Sequence, residues 1–199
     1  MESELLYQIL ALQIRGYEFY LFHASLFFFC LHVSWARKAE NLVKLIVFTF
    51  GGAGLAALIV GDIPFVFSSK VALPILLFSR FLVYYLPNRF FETKFVIWSL
   101  RLGTEMCRGA IACRWYFNGL ENFGESNFIF SVLLATISGS FGSVIGTLSL
   151  APVTSRLTRT LFVGMLLFHY LQRTNPSKET FHRALVPIWM LMSQYAIPL

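Results

Sequence analysis

The chain has 199 residues, of which 57% are hydrophobic and only 13% charged, with a formal net charge of +6. A soluble domain is roughly 45–50% apolar and about 25% charged, so an ordinary water-soluble globule is excluded, and the 22 phenylalanines exceed what a soluble core of this size conceals. No long basic run occurs, which excludes a nucleic-acid-binding arm and leaves an integral membrane protein as the expectation.

The first residues, MESELL, are acidic, and no small-residue cleavage site follows the first apolar run, so no cleaved signal peptide is expected. No glycosylation acceptor is readable, since Asn175 is followed by Pro176. A helix needs about 20 residues to cross a bilayer, or about 17 at the short end. On that measure the sequence predicts a first span over Tyr17–Trp35 and, after a basic loop with Arg37 and Lys38, a second over Leu42–Val60. Gly61, Asp62 and Pro64 make a turn, and a short third span covers Val71–Leu86 with Arg80 inside it. The fourth, Phe95–Phe117, is the most polar. The fifth runs over Phe128–Leu150, the sixth over Leu157–Leu171, and a seventh over Ala184–Ile197. The expected fold class is all-α polytopic, with seven transmembrane helices in a single membrane domain.

The second span carries FGGAGLAALIVGDIP, with Gly51, Gly52 and Gly54 close together, and the fifth carries GSFGSVIGTLSLAP. At one constant offset Gly51 matches Gly139, Gly54 matches Gly142 and Pro64 matches Pro152. Glycine weakens a helix interior by about 1 kcal/mol relative to alanine, so both helices are expected to break at these clusters. Two broken helices in corresponding places mark a duplicated unit. An odd number of spans per unit inverts the second against the first, giving a repeat of residues 17–86 and 95–172, with 184–197 outside it. Basic residues divide almost evenly between the two sides; the orientation read from them places the N-terminus outside or in a lumen and the C-terminus in the cytosol.

Arg101, Glu105 and Arg108 fall at i, i+4 and i+7 on one face of the fourth helix. Ionisable groups within a membrane cost at least about 2.5–3.5 kcal/mol each and persist where they face protein, a partner or water. They therefore read either as the electrostatic lining of a polar conduit, with Arg80 as a further partner, or as a salt bridge between helices. The glycines read either as pore and hinge elements, where unwinding frees carbonyl oxygens for a cation, or as a close-packing face. No protease, esterase or phosphate-loop motif is present, so no enzyme is expected. Cys30, Cys107 and Cys113 lack metal-ligand spacing and read as packing residues, and His23, His32 and His169 as hydrogen-bonded helix histidines.

With these motifs in place, FGGAGLAALIVGD, VALPILLFSRFLVYYLPNRFF, TEMCR, SGSFGSVIG and LTRTLFVGMLLFHYLQ together resemble the trimeric intracellular cation channels, the TRIC family. Gly61, Asp62 and Pro64 stand for the family's Gly-acid-Pro turn, and Tyr84, Tyr85 and Pro87 for its aromatic third helix. Thr104, Glu105, Met106 and Arg108 occupy the place of its Lys-Glu-Val motif and following arginine. The resemblance implies a homotrimer with one pore per subunit. It further implies conduction of potassium or other monovalent cations across endoplasmic or sarcoplasmic reticulum or the nuclear membrane, as counter-ion flux during calcium release. It implies no cofactor beyond a bound phosphoinositide or other anionic lipid, contacted near Thr104 by Arg108 and Arg101, with Thr104 standing where the family has lysine. The alternatives on the same scaffold are a secondary transporter of a small solute and a non-conducting divergent paralogue.

Overall fold

The computed structural model describes residues 2–147 and 155–195, and every regular element in them is helical. Helix α1 spans Glu2–Leu10, α2 Glu18–Ala36, α3 Leu42–Val60, α4 Phe65–Ser68, α5 Ala72–Tyr85 and α6 Asn88–Phe91. Helix α7 spans Lys94–Phe123, α8 Phe128–Ser140, α9 Gly142–Thr147, α10 Arg156–Thr174 and α11 Glu179–Tyr195. Of these, α2 and α3 are each long and apolar enough to cross a membrane, whereas α5 is apolar but has 14 residues. The expected second span coincides with α3. The fourth is six residues longer than expected at its C-terminal end, because α7 runs uninterrupted for 30 residues, about 45 Å at 1.5 Å per residue. The expected ends of the fifth and seventh spans, and Pro152, lie outside the described residues.

The helix ends follow local chemistry. The side chain of Asn41 accepts the Lys44 N–H at 2.9 Å and caps α3. At its other end Gly61 takes φ +78°, with its own N–H and that of Asp62 bonded back to the last carbonyls, the Asp62 N–H to Ala57 O at 2.8 Å. This is the left-handed cap that glycine accepts without strain. It explains why the apolar run stops at Gly61 and not at the glycines inside it.

The expectation that the second span breaks at its glycines is corrected here: α3 is continuous through Gly51, Gly52 and Gly54. Buried helix contacts on both sides supply more than the glycines' lost propensity. The fifth span does divide, at Phe141 between α8 and α9, but only as a kink. Phe141 keeps its N–H on Ile137 O at 3.0 Å, and its carbonyl receives the Ile145 N–H at 3.1 Å. Thr136, Ser138 and Ser140 each donate a side-chain hydroxyl to a carbonyl one turn back, a habit that bends helices. Two helices with similar glycines thus behave differently because one also carries a run of back-bonding hydroxyls.

Helix α7 is the hub, packed against α2, α8 and α11. Its buried stripe includes Gly103, Thr104, Glu105, Cys107, Ala112, Cys113 and Tyr116. One core joins α7 to α8, α10 and α11 through Cys113, Tyr116, Val132, Leu161, Phe168 and Met190. The other joins α2, α3, α4 and α5 to α7 through Leu26, Phe29, Leu45, Phe50, Leu76 and Cys107. All three cysteines are free and buried in these cores. Arg108 lies over Phe29 while Trp35 stacks on Phe91, just before α7, so α2 and α7 run antiparallel. Helix α3 runs antiparallel to α8–α9, since Phe48 meets Gly146 and Ala57 shares a cluster with Leu134. The outer helices are placed unequally: α5 packs on α2, whereas α10 packs on α8 and α11.

Removing the α3 cap tests this account. Asn41→Ala is expected to lower stability by about 1 kcal/mol and Asn41→Ser to retain most of it, as read by thermal unfolding of the purified protein in detergent.

Candidate functional site

A cavity of about 620 Å³ lies between α2, α3, α7 and the α8–α9 joint. Its lining on α2 runs from Phe22 to Arg37, about 22 Å of helix axis, so the cavity extends along the bundle. Near one end lie Asp62, of the α3–α4 turn, and Arg114; near the other lies Arg37; His32 and Arg108 sit between. The rest of the wall is largely aromatic on α2 and α3, and rich in hydroxyls where Thr49 faces Ser138, Ser140 and Ser143.

The hydroxyl groups have a defined polarity. Thr49 donates to Leu45 O at 2.8 Å, Ser138 to Ala135 O at 2.7 Å, Ser140 to Thr136 O at 2.6 Å and Ser143 to Ser140 O at 3.0 Å. A hydroxyl has one proton and two lone pairs. With each proton committed to the helix backbone, these four oxygens are left as acceptors.

Helix α3 crosses the α8–α9 joint where the two backbones touch. A Cβ at Gly52 would stand 2.7 Å from the carbonyl oxygens of both Ile137 and Ser138, and one at Gly142 would stand 2.4 Å from Phe48 O. Gly52, Gly139 and Gly142 line the cavity, so the crossing forms its wall. Gly51 lies beside them against Val47 and Gly142, outside the lining, and Gly54 faces Pro64 at a comfortable 3.7 Å. The glycines therefore act first as a close-packing face, and the continuous α3 does not unwind there to free its carbonyls.

The expected charged face divides. Arg108 Nη1 donates to Glu105 Oε1 at 3.1 Å, with the Glu105 side chain 2% and the Arg108 side chain 20% exposed. Arg108 reaches the cavity wall, its guanidinium over the Phe29 ring at 5.3 Å from the centroid. Glu105 stays behind it, outside the lining, and Arg101, one turn toward the α7 N-terminus, is outside it as well. Arg80 is placed elsewhere: its guanidinium donates to Arg37 O at 3.2 Å, Glu40 O at 2.7 Å and Tyr84 Oη at 2.9 Å, clasping the α2–α3 connection to α5. Thr104 is fully buried and donates to Leu100 O at 2.6 Å. Its oxygen lies 2.9 Å from His32 Nδ1. Because the threonine proton is spent on Leu100, His32 must donate from Nδ1, which leaves Nε2 of the neutral ring as an acceptor.

Arg114 and the serines of α8–α9 line the cavity without having been singled out by the sequence pattern, which gave Arg37 only a loop position and His32 only the hydrogen-bonded helix role it keeps here. Only the serines carried a local signal, as the polar run SGSFGS within an apolar helix. His32 and Thr104 stand 72 residues apart in sequence, and no spacing rule connects them. Among the described residues no group of three or more potential metal ligands comes together. Comparison with models of protein families, with curated proteins and with solved structures finds no match.

Substitutions at four positions separate packing from charge. Gly52→Val is expected to push α3 from α8–α9 and cost about 2 kcal/mol or more, with Gly54→Ala near neutral, measured by thermal unfolding. Glu105→Gln is expected to cost about 2–4 kcal/mol by leaving the Arg108 charge poorly paired, and Glu105→Gln with Arg108→Met to recover most of it.

Proposed function

We propose that this protein is a multi-pass membrane protein that conducts monovalent cations, potassium among them, through the cavity between α2, α3, α7 and α8–α9. The observation that carries the reading is the set of acceptor oxygens on Thr49, Ser138, Ser140 and Ser143, whose protons are bonded to their own helices. Such oxygens replace part of a cation's hydration shell and offer little to an anion. Asp62, the one acid among the described lining residues, lies near one mouth and attracts cations there. In this reading Glu105 offsets the Arg108 charge at the middle of the path, so that stretch is not barred to cations.

The remaining spans follow from the same reading. Large apolar side chains face outward around the bundle, among them Val43, Phe67, Tyr85 and Phe95, where lipid rather than water is their suitable solvent. The antiparallel course of α2 against α7 and of α3 against α8–α9 accords with an inverted repeat. In this scheme α2, α3 and α5 form one unit, α7, α8–α9 and α10 the second, and α11 follows. The motif resemblance extends the proposal to the trimeric intracellular cation channels: three subunits, one path in each, an anionic lipid at the bundle, and counter-ion flux across an intracellular membrane during calcium release.

One observation favours a second reading. Arg37, Arg108 and Arg114 all line the cavity against the one acid, Asp62, which suits a transporter of a small anionic solute if the Glu105 pairing opens on binding.

Planar-bilayer recording in a potassium gradient decides between them. A unitary current reversing near the potassium potential, and reduced at least about twofold by Ser138→Leu, is expected. A silent, monodisperse protein that takes up a labelled organic anion into vesicles would replace the channel by the transporter, and one that does neither would leave a scaffold.

A further inference from the structure

A second, smaller cavity of about 250 Å³ lies under the N-terminal segment. Its walls are Gln13 and Leu12 of that segment, Glu18 and Phe22 of α2, Cys113 of α7 and Arg183 of α11. Phe22 and Ala110 line this cavity and the large one alike. One ring and one methyl group thus form a shared wall between the two.

The segment over the small cavity is held in an unusual way. Leu12 has φ +57°, the one non-glycine residue with positive φ among those described, and such a conformation costs an ordinary L-residue about 1–2 kcal/mol. The hydrogen bonds around it, Leu12 N–H to Ile9 O at 3.0 Å and Gln13 N–H to Gln8 O at 2.8 Å, make the helix-ending motif in which this position is usually glycine. Glycine would satisfy the backbone there with less strain. The leucine side chain is instead 5% exposed and forms part of the cavity wall. The segment is also anchored from outside: Tyr7 packs edge-on to Phe181 with centroids 4.8 Å apart. In the amide orientation that satisfies its neighbours, Gln13 donates to Thr180 Oγ1 at 3.0 Å and accepts from Arg183 at 3.2 Å.

We infer that the segment Leu10–Gln13 is a plug, in which Leu12 closes a second mouth leading through the small cavity to the Phe22–Ala110 wall of the large one. Helix α1 is its handle, held against α11, and the strain at Leu12 makes the closed position the one most readily given up. When α1 leaves α11, the small cavity opens to water on the side that bears Asp62 and Arg114, and rotation of Phe22 joins it to the large cavity. The consequence for flux rests on the conduit reading of the large cavity, whereas the closure itself does not.

Cys113 provides a readout independent of flux, because it lies in the wall of the small cavity and is 1% exposed. With Cys30 and Cys107 replaced by alanine, the purified protein in detergent is treated with a charged, water-soluble thiosulfonate and modification of Cys113 is followed by mass. Slow modification is expected with the segment intact. An increase of about tenfold or more is expected after deletion of residues 1–13, because a covered thiol reacts only through openings. Leu12→Gly is expected to act the same way while preserving the helix end, since glycine suits that backbone; it keeps the test alive if the deletion fails to fold. Rapid modification with the segment intact, or an unchanged slow rate in the folded Leu12→Gly protein, overturns the plug. In the bilayer the deletion is expected to raise current. Reactive Cys113 in a protein that stays silent keeps the plug and removes the conduit reading instead.

Discussion

Contact between bare backbones is the constraint on which this architecture rests. Where α3 crosses the α8–α9 joint, Gly52 lies against the carbonyls of Ile137 and Ser138, and Gly142 against that of Phe48. No side chain intervenes, so the two helices are held as near as their main chains allow, and the positions of the residues on either side are fixed by that approach. Thr49, Ser138, Ser140 and Ser143 are brought to the wall of one cavity. Small residues at a crossing are the usual route to tight packing where lipid offers no competing hydrophobic gain. Here they also decide which polar atoms share a wall.

The polarity of that wall follows from helix chemistry. A serine or threonine inside a helix usually turns its proton to a carbonyl one turn back, and four lining hydroxyls do so. The result is a set of acceptors made from residues that are equally able to donate. His32 is polarised in the same manner by Thr104, whose own proton is given to Leu100. Against these stands a basic set, Arg37, Arg108 and Arg114, of which Arg108 is offset by Glu105 at 3.1 Å. The balance between acceptor oxygens and guanidinium groups is what any flux through the cavity would sense, and it depends on the buried pair on α7 staying intact.

The two cavities give the aromatic residues of α2 different tasks. Phe29 holds the Arg108 guanidinium in place, whereas Phe22 stands between the large cavity and the space closed by Leu12. The strained leucine and its anchored helix tie the N-terminal segment to α11, and so connect the first and last described elements of the chain across one end of the bundle.

Composition and pattern determined the class: an all-helical chain of long apolar segments, with α2, α3 and α5 legible to within a residue or two, because apolar length and turn residues such as Gly61 and Pro64 act locally. The polar face of α7 was legible too, since i, i+4 spacing places Arg101, Glu105 and Arg108 on one side. Tertiary structure decided what these features do. It kept α3 continuous through its glycines, because burial against α8–α9 outweighs their weak propensity, and it divided the fifth segment at Phe141, where hydroxyls compete for the helix carbonyls. It sent Arg80 to the α2–α3 connection, paired Arg108 with Glu105, and joined His32 to Thr104 across a distance in sequence that no periodicity reports. Helix formation is read from neighbours along the chain, whereas which polar atoms meet depends on how closely helices cross, and that is set only when the packed backbones touch.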